Sequence, residues 1–187
     1  MTRILILGLA IVLAAGPAAA QHSLGIFSSA QQGQCNIYDT GPGLFSAYII
    51  HWQGVSLAGA TGARFSAPVP ACATGVSWAA DISLLGMISG NSQTGATVRY
   101  GSTCLDWLQI PVMRIDLWGN GLTQTCCAWQ VQPFPGAQYA EYFDCYGNPG
   151  VATPWEARIN PSWQCDCAGW VPVEHQSWGS IKALYEE

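Results

Sequence analysis

The sequence predicts an all-β protein: an immunoglobulin-like β-sandwich held by disulfides, with a short C-terminal helix. Three observations predict it. Short β-prone runs recur with Gly- and Pro-rich turns between them, and helical periodicity is absent until the last residues. Eight cysteines, an even number, follow an export signal. Only 9% of the residues are charged while 21 are glycines, a composition that suits a secreted β-protein better than a cytosolic helical one.

The chain opens MTRILILGLAIVLAAGPAAAQ. Arg3 precedes an apolar run from Ile4 to Ala15, Gly16 and Pro17 break it, and Ala18-Ala19-Ala20 suits signal peptidase. Residues 1–20 are therefore expected to be a signal peptide; the run is too short to span hydrocarbon, which needs about 20 apolar residues. No cysteine follows the cleavage site and no second long apolar segment exists, so the mature chain is not expected to span or be lipid-anchored to a membrane. It would hold 167 residues (187 minus 20), enough for one core, with five basic and eleven acidic residues, a net charge of -6. Such an acidic chain without a basic cluster is a poor nucleic-acid binder. The expected location is extracytoplasmic: periplasmic, cell-surface or extracellular.

Residues 21–170 are expected to form the sandwich. SLGIFSS (23–29), GLFSAYIIHWQG (43–54), GARFSAPVP (62–70), GVSWAADISLL (75–85), ATVRYGS (96–102), LQIPVMRIDLWG (108–119), TCCAWQVQPFP (125–135), YAEYFDCYG (139–147) and EARIN (156–160) read as strands. GNSQTG (90–95) reads as a turn. Trp52 and Trp78, in apolar strands, are expected in the core, and His51 as a hydrogen-bonded strand histidine. Residues 171–187 form a separate tail. Ser177 can cap a helix in which Trp178, Ile181, Leu184 and Tyr185 share a face.

Cys35, Cys72, Cys104, Cys126, Cys127, Cys145, Cys165 and Cys167 are expected to be disulfides. A zinc knuckle needs C-x(2–4)-C and a redox site C-x-x-C; the close pairs here are CC and C-x-C. Adjacent Cys126 and Cys127 point to opposite faces of an extended chain, so they most simply take different partners. Which cysteines pair is left open. Two clamps at Cys165 and Cys167 would hold Trp163 and Trp170 in one orientation, at less entropic gain than a bridge from Cys35 that closes a long loop.

No cofactor or metal motif is present, and no catalytic residue stands out. Ser56 and Ser92 lack the G-x-S-x-G setting, and H-E-x-x-H, phosphate-loop and calcium-loop patterns are absent. The carboxylates are dispersed; a glycoside hydrolase would need two that meet only in the fold. The binding-like feature is aromatic. Trp155, Trp163, Trp170 and Trp178 recur near the C-terminus and can offer flat apolar platforms to a protein or a sugar ring.

Several segments together carry a family resemblance: QCNIYD, GARFSAPVPAC, GNSQTGATVRYGSTC, the Cys126-Cys127 pair, the C-x-C at 165–167 and the ending PVEHQSWGSIKALY. Over essentially the whole mature chain the sequence resembles uncharacterised secreted, cysteine-containing proteins of environmental bacteria. The resemblance implies a secreted disulfide-bearing sandwich and a shared tail element, and it brings no activity. The function expected from these observations is a secreted or envelope-associated, non-catalytic binding or structural module. A carbohydrate-binding module using exposed tryptophans is the alternative, and a glycoside hydrolase a weaker one. An extracellular protein or a glycan is the expected partner.

Overall fold

The computed structural model describes residues 22–31, 34–54 and 59–167. Among these are eleven strands and no helix. In chain order they are β1 (Ser23–Phe27), β2 (Asn36–Ile37), β3 (Pro42–Trp52), β4 (Gly62–Phe65), β5 (Ser77–Ser83) and β6 (Met87–Asn91). Then come β7 (Gly95–Arg99), β8 (Gln109–Asn120), β9 (Cys127–Gln130), β10 (Ala140–Phe143) and β11 (Pro149–Ile159). The expected helix at Trp178–Tyr185 lies outside the described residues.

The strands make a β-sandwich. One layer has the order β5-β8-β3-β1-β11, the other β11-β10-β4-β7-β6. β11 belongs to both because it changes partners along its length. Residues 149–152 pair with β10, 153–155 run parallel to β1, and 156–159 pair with β9, with β2 beside its end. Pro154, which has no amide to donate, sits in the middle of this switch, where a regular ladder is already interrupted.

Alternation decides what each strand buries. In β8, Met113, Ile115 and Leu117 enter the core, while Arg114, Asp116 and Trp118 lie on the outer face. In β3 the inward residues are Ala47, Ile49 and His51; a register shift between Ile49 and Ile50 opposite β8 keeps that phase. From the second layer come Ala63, Phe65, Ala96, Val98, Ala140 and Ala152. Each fully buried large side chain contributes about 1.5–3 kcal/mol. The two free edges, β5 and β6, lie on the same side of the sandwich. Asp81 of β5 closes that side: its carboxylate accepts from the Ser92 backbone N–H, from Ser92 Oγ at 2.8 Å and from Trp78 Nε1 at 3.0 Å.

All eight cysteines are paired: Cys35–Cys167, Cys72–Cys127, Cys104–Cys145 and Cys126–Cys165. The vicinal pair does take two partners. The long loop expected from Cys35 and the clamp at Cys167 prove to be one bridge, 132 residues apart in sequence, so the contrast drawn between them disappears.

Several expectations need correction. Trp52 borders the core and does not sit inside it. With His51 facing inward, Trp52 must face outward, where it is half-buried against Trp155 and Phe27. Trp78 sits on the β5 edge beside a bulge and is 39% exposed. The indole that fills the core is Trp129, whose Nε1 donates to the Ala67 carbonyl at 3.3 Å. An apolar run shows that a tryptophan is in a strand and not which face it takes. Two strands were unforeseen, β2 and β6, the latter in the Gly- and Ser-containing MISGN. β11 begins seven residues before the expected EARIN because PGVATPW is neither apolar nor alternating. GNSQTG is the predicted turn: Asn91 Oδ1 accepts from the Gln93 and Thr94 amides at 2.9 Å.

Candidate functional site

At one end of the sandwich three loops are tied together. Residues 38–41 lead into β3, residues 121–126 leave β8, and residues 160–167 follow β11. Asp39 is the centre of the knot. Its buried carboxylate accepts from the Gly121 amide at 2.9 Å and from Thr123 Oγ1 at 2.7 Å. The Asp39 amide in turn donates to Asn160 Oδ1 at 2.9 Å, and Asn160 Nδ2 donates to the Thr123 carbonyl at 3.0 Å. Asn160 takes a left-handed φ of 51°, which asparagine tolerates better than most residues. Gly119 is required here, since a Cβ on it would stand 2.2 Å from Asp39 Oδ1.

The third loop is pinned further. Cys165 is bridged to Cys126 and Cys167 to Cys35, while Asn36 Nδ2 donates to Asp166 Oδ1 at 2.7 Å. The Cys165 amide closes a turn on the Ser162 carbonyl at 3.0 Å. Within that turn Trp163 stands out, 88% exposed.

This locked end carries other bare apolar side chains. Tyr38 and Leu122 project from the first two loops. Leu44 and Trp118 are direct cross-strand neighbours on the outer face where β3 begins and β8 ends, and each is 56% exposed. A depression of about 190 Å³ runs along residues 38–45 beside them. Of the four tryptophans expected to form a binding surface, Trp163 is here. Trp155 is elsewhere on the outer face, stacked on Trp52 with ring centroids 5.9 Å apart. Trp170 and Trp178 lie outside the described residues. Sequence reasoning missed Tyr38, Leu44, Trp118 and Leu122. The sequence signal for Trp118 was its phase with Arg114 and Asp116, the polar positions of β8.

The carboxylates mostly serve the fold. Asp116 accepts from Ser46 Oγ at 2.6 Å and pairs with Arg114, which holds the guanidinium proton above its ordinary range. Arg64 Nε donates to Glu141 at 2.7 Å, and Arg158 pairs with Glu156. Asp144 is held below the usual carboxylate range by the Asn148 side chain and by turn amides.

The strand order and layer assignment place this architecture among known folds. The structure is similar to a cohesin module from a family 33 glycoside hydrolase of Clostridium perfringens, with 9% identity and a TM-score of 0.54 over 76% of this chain and 99% of that module. The fold is cohesin-like. A non-cellulosomal cohesin from Archaeoglobus fulgidus also aligns, with 13% identity and a TM-score of 0.46 over 75% of this chain and 91% of that one. So does the seventh ScaB type I cohesin from Pseudobacteroides cellulosolvens, with 8% identity and a TM-score of 0.46 over 84% and 98%. No family model and no curated protein matches the chain. At these identities the likeness concerns the cohesin-like scaffold and not its surface. No helix among the described residues is long and apolar enough to cross a membrane.

Proposed function

We propose that the chain is an exported, non-catalytic module whose locked apolar end docks a protein partner. The observation that carries this reading is the combination of exposure and rigidity. Tyr38, Leu44, Trp118, Leu122 and Trp163 are bare, and the loops beneath them are held by Asp39, Asn160 and two disulfides. Aromatic side chains on a preordered frame lose little conformational entropy on binding, which is the usual character of an interface anchor. The reading is supported by the sandwich scaffold, by carboxylates that are engaged in structural contacts, and by disulfides suited to an oxidising compartment.

The test is capture of binding partners from the extracytoplasmic proteins of the source organism. Wild-type protein is compared with Trp118→Ser and Trp163→Ser, singly and together. Loss of capture with an unchanged melting temperature supports the reading; undiminished capture by the double variant overturns it. A soluble oligosaccharide that quenches wild-type fluorescence but not that of Trp155→Phe would transfer the role to the Trp52–Trp155 stack and to a glycan.

A further inference from the structure

Strand β8 ends in Asn120, and Asn120-Gly121 is the one place in the sequence where glycine follows asparagine. Gly121 is exposed and takes a φ of +76°, a conformation that favours glycine. Its backbone N–H donates to Asp39 Oδ1 at 2.9 Å. Asp39 is 3% exposed, and its second oxygen is held by Thr123 Oγ1 at 2.7 Å, so Oδ1 stays aimed at the Gly121 amide. From the other side of the same peptide bond, Asn120 Oδ1 accepts from the Leu122 N–H at 3.0 Å. This contact curls the carboxamide back toward the chain that follows it. Asn120 Nδ2 lies against Gly75, where a Cβ would stand 1.8 Å from it.

Each half of this arrangement is ordinary turn chemistry. Together they put a carboxylate on the proton of a backbone nitrogen and a hydrogen-bond donor on the oxygen of the neighbouring carboxamide. Those are the base and the oxyanion donor that an acyl transfer uses. We propose that Asn120 deamidates itself, with Asp39 as the general base. Asp39 Oδ1 takes the Gly121 amide proton as the nitrogen forms a bond to Asn120 Cγ. The charge that develops on Asn120 Oδ1 is met by the Leu122 N–H. Asp39 then passes the proton to Nδ2, the Cγ–Nδ2 bond breaks, and ammonia departs to leave a cyclic imide. Water opens the imide at either carbonyl. Attack at Cγ gives an aspartate at position 120; attack at the main-chain carbonyl gives isoaspartate, with the chain rerouted through the side chain. In sum a water is consumed and an ammonia released, with no redox change. Glycine at 121 has no side chain to block the approach.

Either product disturbs the knot around Asp39. Both place a second carboxylate beside the Gly121 amide, and neighbouring like charges disfavour each other. Isoaspartate also lengthens the main chain by a methylene carbon, which carries the Gly121 N–H away from Asp39 Oδ1. The tie between residues 38–41 and 121–126 therefore loosens as molecules age. The reaction stands on this turn alone and is independent of what the locked end binds.

The test follows wild-type protein, folded and with its disulfides intact, through incubation at neutral pH. Intact mass reads the amide-to-acid exchange, and peptide mapping assigns it and separates aspartate from isoaspartate. Position 120 is expected to convert about tenfold or more faster in the folded protein than in the same chain reduced and held in urea. Asp39→Asn should lower the folded rate by about tenfold or more, with melting curves showing that the variant is folded. The deamidated fraction, separated by its added charge, should exchange its Gly121 and Thr123 amides faster than the parent. A folded wild-type rate at or below the unfolded rate overturns the proposal even where the variant fails to fold. A folded Asp39→Asn that converts as fast as wild type overturns it too, and unchanged amide exchange in the deamidated fraction overturns the loosening.

Discussion

Cys126 and Cys127 are neighbours in the chain and bridge to different segments of the fold. Cys127, in β9, reaches back to Cys72 ahead of β5, whereas Cys126 reaches forward to Cys165 in the loop beyond β11. Cys126 holds a left-handed φ of 64°, and its amide donates to the Asn160 carbonyl at 3.0 Å. One peptide unit therefore joins the sandwich to the locked end that carries Trp163.

The two bridges that clamp this end should differ in stability and in local effect. Cys35–Cys167 closes 132 residues and Cys126–Cys165 closes 39. Chain entropy assigns them ~5 and ~4 kcal/mol. Cys35→Ser with Cys167→Ser should thus lower the melting temperature more than Cys126→Ser with Cys165→Ser. The second pair should alter quencher access at Trp163 more. Equal melting with unchanged quenching in both would remove the orienting role of the Cys126 bridge.

Gly59 should tolerate no side chain. Its φ is +72°, and a Cβ would stand 2.4 Å from Cys104 Sγ and 2.5 Å from Cys145 Sγ. Gly59→Ala combines a left-handed backbone cost of about 1–2 kcal/mol with overpacking of about 1–3 kcal/mol. Urea unfolding is the measurement; a loss below about 0.5 kcal/mol would show that the bridge moves aside freely.

Asp81 should be worth more than an ordinary surface acid, because it joins β5 to the β6–β7 turn through two donors of Ser92 and also accepts from Trp78 within β5. Asp81→Ala is expected to cost about 2–3 kcal/mol. Hydrogen exchange should accelerate first in β5 and β6. Global destabilisation with no local change in exchange would contradict this placement.

Acid should destabilise the fold through the buried histidines. Burial, and after it the neighbouring His22, lowers His51 from 6.5 to about 3. The unfolded chain then takes up a proton as pH falls below 6.5 while the folded chain does not. The stabilisation is full above that pH and is lost progressively toward about 3. His51 alone should remove about 2 kcal/mol between pH 6.5 and 5. His22, lowered by burial, adds in the same direction. Urea midpoints across this range give the slope. His51→Gln should flatten it, and a flat wild-type profile would contradict a buried neutral pair.

Oxidised cysteines and a β-sandwich were legible in the sequence because each depends on local properties. Cysteine parity is a count, and turn residues punctuate strands wherever they end. The separate fates of Cys126 and Cys127 were also legible, since neighbouring side chains in an extended chain point apart. Facing and pairing were not. Trp52 and Trp129 sit in equally apolar strands, and only the register of β3 on β1 and β8 turns the first outward. The locked end draws Tyr38, Trp118 and Trp163 from loops and strands far apart in the chain, gathered around an aspartate that reads as an ordinary turn residue. His22 and His51 meet because Leu24 pairs with His51, which brings the residue ahead of β1 beside β3. Such contacts arise from long-range strand pairing, which closes only when the two layers bury their faces together, and local pattern carries no record of it.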